Sequence, residues 1–161
     1  MITIGIDIGG STTKIIGLKG EKIISPLLVK ANDPIASLFG AFGKFTAVNN
    51  LSLTDIKCVL VTGVGASYVE KPIYGLPTAK AFEFLSNGLG GLYLSGLRQA
   101  MIVSMGTGTS LVHADENKIE HMGGTAIGGG TILGLSSRLL NIRDIDVLVK
   151  EAEERDSSAA C

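Results

Sequence analysis

The chain has 161 residues, of which 45% are hydrophobic, 18% charged and 5% aromatic, and its formal net charge is −1. That balance excludes the basic stripe by which proteins usually grip nucleic acid. No basic leader precedes the first strand pattern and Asn87, Arg98 and Gln99 interrupt the most apolar stretch, so the expectation is a cytoplasmic protein without a membrane span.

Residues 2–8 and 12–18 read as an antiparallel hairpin. Residues 21–29 read as a third strand, which Pro26 puts at an edge or a bend. Asp33-Pro34 opens a helix to about residue 48, with Asp33 as N-cap, Pro34 at the first helical position and Asn49-Asn50 at the end. Residues 56–61, apolar except for Lys57, fit a strand covered on both faces, and Thr62-Gly63-Val64-Gly65 is a turn that could face a ligand cleft. Residues 78–96 read as a helix whose Gly88, Gly90 and Gly91 allow close packing. Residues 100–105 and 110–114 then repeat the opening hairpin. Cys58, in a strand pattern, and Cys161, the last residue, offer neither a disulfide framework nor a metal spacing.

Glycine is the anomaly: 22 residues, about twice the usual share. The excess lies largely in three turns. The first is Asp7-Ile8-Gly9-Gly10-Ser11-Thr12-Thr13-Lys14, and the second Met105-Gly106-Thr107-Gly108-Thr109-Ser110. The third is Gly123-Gly124-Thr125-Ala126-Ile127-Gly128-Gly129-Gly130-Thr131. Glycine tolerates positive φ and lets backbone approach a ligand, so amide N–H groups can point at anionic oxygens while Ser and Thr hydroxyls add donors. Strand, glycine turn, strand occurs once in each half, as expected of two similar domains facing each other across a nucleotide.

In this order, and together with Leu60-Val61-Thr62-Gly63-Val64-Gly65-Ala66 and Ala81-Phe82-Glu83-Phe84, the turns resemble those of the type II, eukaryote-like pantothenate kinases of the actin/hexokinase ATPase superfamily. The likeness covers almost the whole chain. It implies an α/β, actin-like ATPase (ribonuclease H-like) fold with two similar mixed-sheet domains, residues 1–77 and 78–161, the second incomplete. It also implies ATP-dependent phosphorylation of pantothenate, the first step toward coenzyme A, with ATP and Mg²⁺ as cofactors and a homodimer as the working form. Family members continue well beyond the segment resembling residues 147–158, and a sheet lacking strands should expose an edge and an apolar face.

The resemblance assigns roles residue by residue. Asp7 would hold Mg²⁺ through water, a mode that suits an ion which keeps most of its waters; the turn by itself equally allows Asp7 to cap the Gly9 and Gly10 amides. Lys14 either meets a phosphate or ends its strand at the surface. Gly9, Gly10, Ser11 and Thr12 would surround the phosphates from one side and Gly106, Thr107, Gly108 and Thr109 from the other, supplying charge stabilisation in a transfer that depends on positioning. Ser110 matches a serine beside the pantothenate site. Gly128, Gly129 and Gly130 match the adenosine turn, where close helix packing is the competing reading. Glu83 would be the general base that takes the substrate hydroxyl proton, against an i, i+3 ion pair with Lys80 on an exposed face. His121 stands where the family has an arginine in contact with substrate, and it carries no permanent guanidinium fork. His113 reads as a surface residue. Two other classes share the phosphate turns: a sugar or amino-sugar kinase or activator-type ATPase of the same superfamily, and an inactive nucleotide-binding module.

Overall fold

The computed structural model describes residues 1–30 and 33–158, so Cys161 lies outside the described residues. Two sheets form two successive halves. The first is a mixed five-stranded sheet of order β3-β2-β1-β4-β5, built from β1 (Ile2–Ile8), β2 (Thr12–Lys19), β3 (Lys22–Lys30), β4 (Ile56–Thr62) and β5 (Thr78–Lys80). β1 pairs antiparallel with β2 and parallel with β4. The Pro26-bearing β3 takes the edge, where a missing N–H breaks no ladder.

Alternation sets the core. Ile2, Ile4, Ile6 and Ile8 all point to one face of β1 and are buried with Val59 and Val61 of β4 beneath α1 (Pro34–Val48). Helix α1 begins as its sequence requires: the Asp33 carboxylate accepts the Ala36 N–H at 2.7 Å, and Pro34 occupies the first turn. It turns Leu38, Ala41, Phe42 and Phe45 inward, and removing each phenylalanine from water contributes up to about 3 kcal/mol. The other face of β4 is open. Lys57 is exposed and Leu60 is 42% exposed, so this strand is covered on one face only among the described residues, not on both as its apolar run suggests.

A second correction concerns residues 78–82. They are not helical: Thr78–Lys80 is β5, paired parallel with β4, and α2 (Glu83–Ser95) begins only at Glu83. The strand extends the first sheet three residues past the expected boundary at Pro77. Its Lys80 ammonium donates to the Ser67 carbonyl, so the i, i+3 pair with Glu83 does not form.

The second half contains β6 (Gln99–Met105), β7 (Thr109–Asp115) and β8 (Ile119–Thr125) in an antiparallel sheet, followed by α3 (Gly129–Leu139) and α4 (Ile145–Ser158). Three strands and a helix, β1-β2-β3-α1, thus recur as β6-β7-β8-α3. Among the described residues the second sheet has the antiparallel part only, whereas the first is mixed. Helix α2 lies on this second sheet because two of its glycines have no side chain in the way: a β-carbon on Gly88 would come 2.6 Å from Ile119 Cγ2, and one on Gly91 would collide with Ile102 Cγ1. Gly90 faces open space instead. On the opposite face Met101, Val103, Met105 and Leu111 are exposed. The halves touch through Ser11 and Thr107, whose hydroxyls are 3.4 Å apart, through the Tyr93 hydroxyl on the Glu21 carbonyl, and through Lys30 and Asp144, 2.9 Å apart.

Candidate functional site

A cavity of about 300 Å³ opens between the halves where β1 and β6 both end. The first half contributes Asp7, Gly9, Gly10, Lys14, Gly63 and Val64, and the second Glu83, Phe84, Asn87, Ser104, Gly106, Thr107, Gly108, Thr109, Ser110 and Thr125. The repeated hairpins therefore bring their glycine turns to the two sides of one space. Ser11 and Thr12 are not on its wall, although Ser11 bridges to Thr107 across it.

Both turns divide their amides in the same way. The Gly9 N–H donates to the Thr12 carbonyl at 3.0 Å and the Gly106 N–H to the Gly108 carbonyl at 2.8 Å, so these two close the turns and are not available to a ligand. The N–H groups of Gly10, Ser11, Thr107 and Gly108 have no partner among the described residues, and Gly10, Thr107 and Gly108 line the cavity. Adjacent unpaired amides form the concave donor set that anions occupy. At Gly9 and Gly108 glycine is needed for space, not for positive φ, which none of these residues adopts. A β-carbon on Gly9 would lie 2.9 Å from the Thr12 carbonyl oxygen, and one on Gly108 3.0 Å from that of Thr125. Positive φ occurs beside the turns at Gly63, with φ +86°, where a β-carbon would collide with Asp7 Oδ1.

Asp7 does not cap the glycine amides. Its carboxylate is paired with Lys14 at 2.8 Å, directly across the hairpin register. Lys14 thus faces the cavity from the second strand with a cation at the end of a long side chain. No cluster of three or more His, Cys, Asp or Glu suited to a metal exists among the described residues. One carboxylate in a wall of unpaired amides fits Mg²⁺ in the mode in which the ion keeps its waters and takes phosphate oxygens; it does not fit an all-protein cage.

Glu83, the first residue of α2, lines the same cavity as Asp7 and both turns and forms no ion pair with Lys80. Ser110 lies on β7 opposite Ser104 of β6, and both line the wall. Gly128, Gly129 and Gly130 stand behind the second turn and not on the wall: the N–H groups of Gly129 and Gly130 donate to the carbonyls of Gly106 and Thr107, and a β-carbon on Gly128 would lie 2.7 Å from the Thr107 oxygen. The start of α3 is therefore packed on the second glycine turn, the competing reading for those glycines. His121 is also off the wall, stacked on Phe84 with ring centroids 3.8 Å apart and planes 4° from parallel. His113 meets Gln99 at 2.8 Å on the neighbouring strand, an exposed contact in keeping with a surface residue.

Phe84, Asn87, Ser104 and Thr125 also line the cavity, and the sequence assigns none of them a role of its own there. A signal for Asn87 exists, since it follows Glu83 by four residues and a helix puts such residues on one face. Ser104 carries no such signal, because only the approach of the two halves brings it in, whereas Val64 belongs to the turn 62–65 expected to face a cleft and does so with Gly63.

A family model described as Fumble matches residues 97–160. Over 96% of its length the chain is 27% identical to the type II pantothenate kinase of Bacillus cereus (strain G9842), covering 56% of that protein. It is 30% identical over 95% of its length to the type II pantothenate kinase of Staphylococcus aureus (strain bovine RF122 / ET3-1), covering 55% of it. Among solved structures, the activator of the 2-hydroxyisocaproyl-CoA dehydratase from Clostridium difficile, with bound ADPNP, superposes with a TM-score of 0.69 at 23% identity, over 88% of this chain and 53% of that one. The resemblance to type II pantothenate kinases thus extends over nearly the whole chain, and the fold is that of the actin-like ATPases. The chain spans about half the length of the relatives it matches.

Proposed function

We propose that the protein transfers the γ-phosphoryl group of ATP to the hydroxyl of pantothenate, with Mg²⁺, as part of a cytoplasmic homodimeric kinase of coenzyme A biosynthesis. One observation carries the reading: two glycine turns from opposite halves, with unpaired amides, share a cavity with one carboxylate suited to a hydrated ion and a second suited to a base. The likeness to type II pantothenate kinases supports the choice of acceptor.

In this reading the amides of Gly10, Thr107 and Gly108 and the Lys14 ammonium hold the phosphates, and Asp7 is the carboxylate that would hold a hydrated Mg²⁺. The chemistry such an ion would supply is neutralisation of the charge on the phosphate oxygens. Glu83 accepts the proton of the attacking hydroxyl, and Ser110 orients the acceptor. Phosphoryl transfer requires positioning and charge stabilisation more than covalent chemistry, which suits a site made mainly of backbone donors. Gly128, Gly129 and Gly130 serve nucleotide binding by supporting the second turn and lying next to the adenosine, and His121 reaches the acceptor through Phe84.

The test is a coupled assay with MgATP and pantothenate, alongside N-acetylmannosamine and glucose. Pantothenate-dependent ADP release is expected, and Glu83→Gln, which keeps size and removes basicity, should lower kcat about 10²-fold or more with little change in KM for ATP. Turnover of a sugar but not of pantothenate would overturn the reading. Survival of turnover in Glu83→Gln to within a few-fold would reduce Glu83 to a structural residue.

A further inference from the structure

Among the described residues that line the cavity, Asn87 carries a side-chain donor that nothing in the protein satisfies: its Nδ2 is shut off from solvent and has no hydrogen-bond partner. An amide N–H₂ in that position costs free energy unless an acceptor arrives, and an apolar residue of the same size would avoid the cost. It sits one helical turn beyond Glu83 on the same face of α2, which rests on β6, β7 and β8. Across from it, Ser104 and Ser110 are register partners on adjacent strands, and both line the cavity. A carboxylate, a carboxamide and two hydroxyl side chains therefore line the cavity from the second half.

We infer that Asn87 is a specificity-determining residue which donates a hydrogen bond to a carbonyl or carboxylate oxygen of the phosphoryl acceptor, while Glu83 holds the acceptor's hydroxyl. The amide torsion is soft, so the N–H₂ group turns into the cavity without disturbing the helix. A site with a built-in donor selects an acceptor that carries an oxygen at that reach and rejects one without it, because the donor would otherwise stay unpaired. The inference rests on the proposed reaction for the identity of the acceptor.

The test measures equilibrium binding of labelled pantothenate to the 161-residue chain in the presence of a non-hydrolysable ATP analogue, which needs no turnover. Asn87→Ala and the isosteric Asn87→Asp are compared with wild type, with folding checked by circular dichroism. Both variants should bind pantothenate about tenfold more weakly and the ATP analogue unchanged, since a lost hydrogen bond to a polar or charged group is of that size. Unchanged pantothenate affinity in either folded variant overturns the role of Asn87 and leaves the reaction standing. An equal loss of affinity for the analogue makes the residue structural and also overturns it. Wild type that binds the analogue but no pantothenate overturns the proposed reaction, and the inference with it.

Discussion

Gly63 and Gly106 border the same cavity for different reasons. At Gly63 the backbone has φ +86°, and a β-carbon would collide with Asp7 Oδ1 and lie 2.6 Å from the Ile8 carbonyl oxygen. The carboxylate can swing away, but the carbonyl cannot. Gly63→Ala should therefore destabilise the protein by about 1–3 kcal/mol from backbone strain alone and push Asp7 off its position, lowering both Tm and nucleotide affinity. At Gly106, a lining residue of the cavity, φ is not positive and nothing lies within 4 Å of the position a β-carbon would take, so a side chain is accommodated and would occupy space the proposed reading gives to phosphate. Gly106→Val should keep its Tm within a few degrees and lose nucleotide binding. Calorimetric titration with MgATP separates the two: unchanged affinity in a folded Gly106→Val protein would contradict the phosphate role of the second turn.

Helix α2 shows what its glycines are for. Gly88 and Gly91 touch the sheet, whereas Gly90 faces open space and only weakens the helix. Gly90→Ala should stabilise the protein by about 0.5–1 kcal/mol by restricting the unfolded backbone, while Gly88→Ala, driven into the stiff β-branched Ile119, should cost about 1–3 kcal/mol. Thermal denaturation of the pair checks the sign. Elements with strong local grammar were legible in the sequence. The hairpin of β1 and β2 alternates apolar residues, and α1 carries Asp33, Pro34 and Asn49 at its ends. Strand β5 was not, because three residues, Thr78–Lys80, are too few to show a period and their partner in β4 lies far back in the chain. The site divides along the same line. Its turns were visible as glycine clusters, but the use of the Gly9 and Gly106 amides inside the turns, and the packing of Gly128 on Thr107, depend on backbone hydrogen bonds and close approach that composition does not encode.

The two halves are unequally built, and the whole molecule should behave accordingly. Lys30 and Asp144 tie β3 to the start of α4, and the hydrogen bond from Lys30 holds the Asp144 carboxyl below its ordinary range while raising the lysine. A lowered carboxyl contributes stability above its unfolded value and loses it as pH falls through the folded one. The Tm difference between wild type and Asp144→Asn should thus be small at neutral pH, since the pair is exposed, and vanish once pH drops well below about 4.

Packing should matter more than that exposed pair. The first half holds one contiguous buried cluster that includes Ile4, Ile6, Phe42, Phe45 and Val61, whereas Val112 and Ala114 are the buried apolar side chains of the second half among the described residues. Opening free energies follow buried apolar contacts, so amide hydrogen exchange should be at least about tenfold slower in β1 and β4 than in β6 and β8. Nucleotide should narrow that gap. A ligand held by turns from both halves must be released before the second sheet opens, and at about a hundred times its Kd it slows that opening by about a hundredfold. Exchange in β6–β8 should therefore fall sharply with a saturating ATP analogue, while β1 and β4, already limited by global unfolding, slow only as far as the whole molecule is stabilised. Equal protection of both sheets without ligand would contradict the packing argument, and no response of β6–β8 to a bound analogue would mean that the cavity between the halves is not where the nucleotide sits.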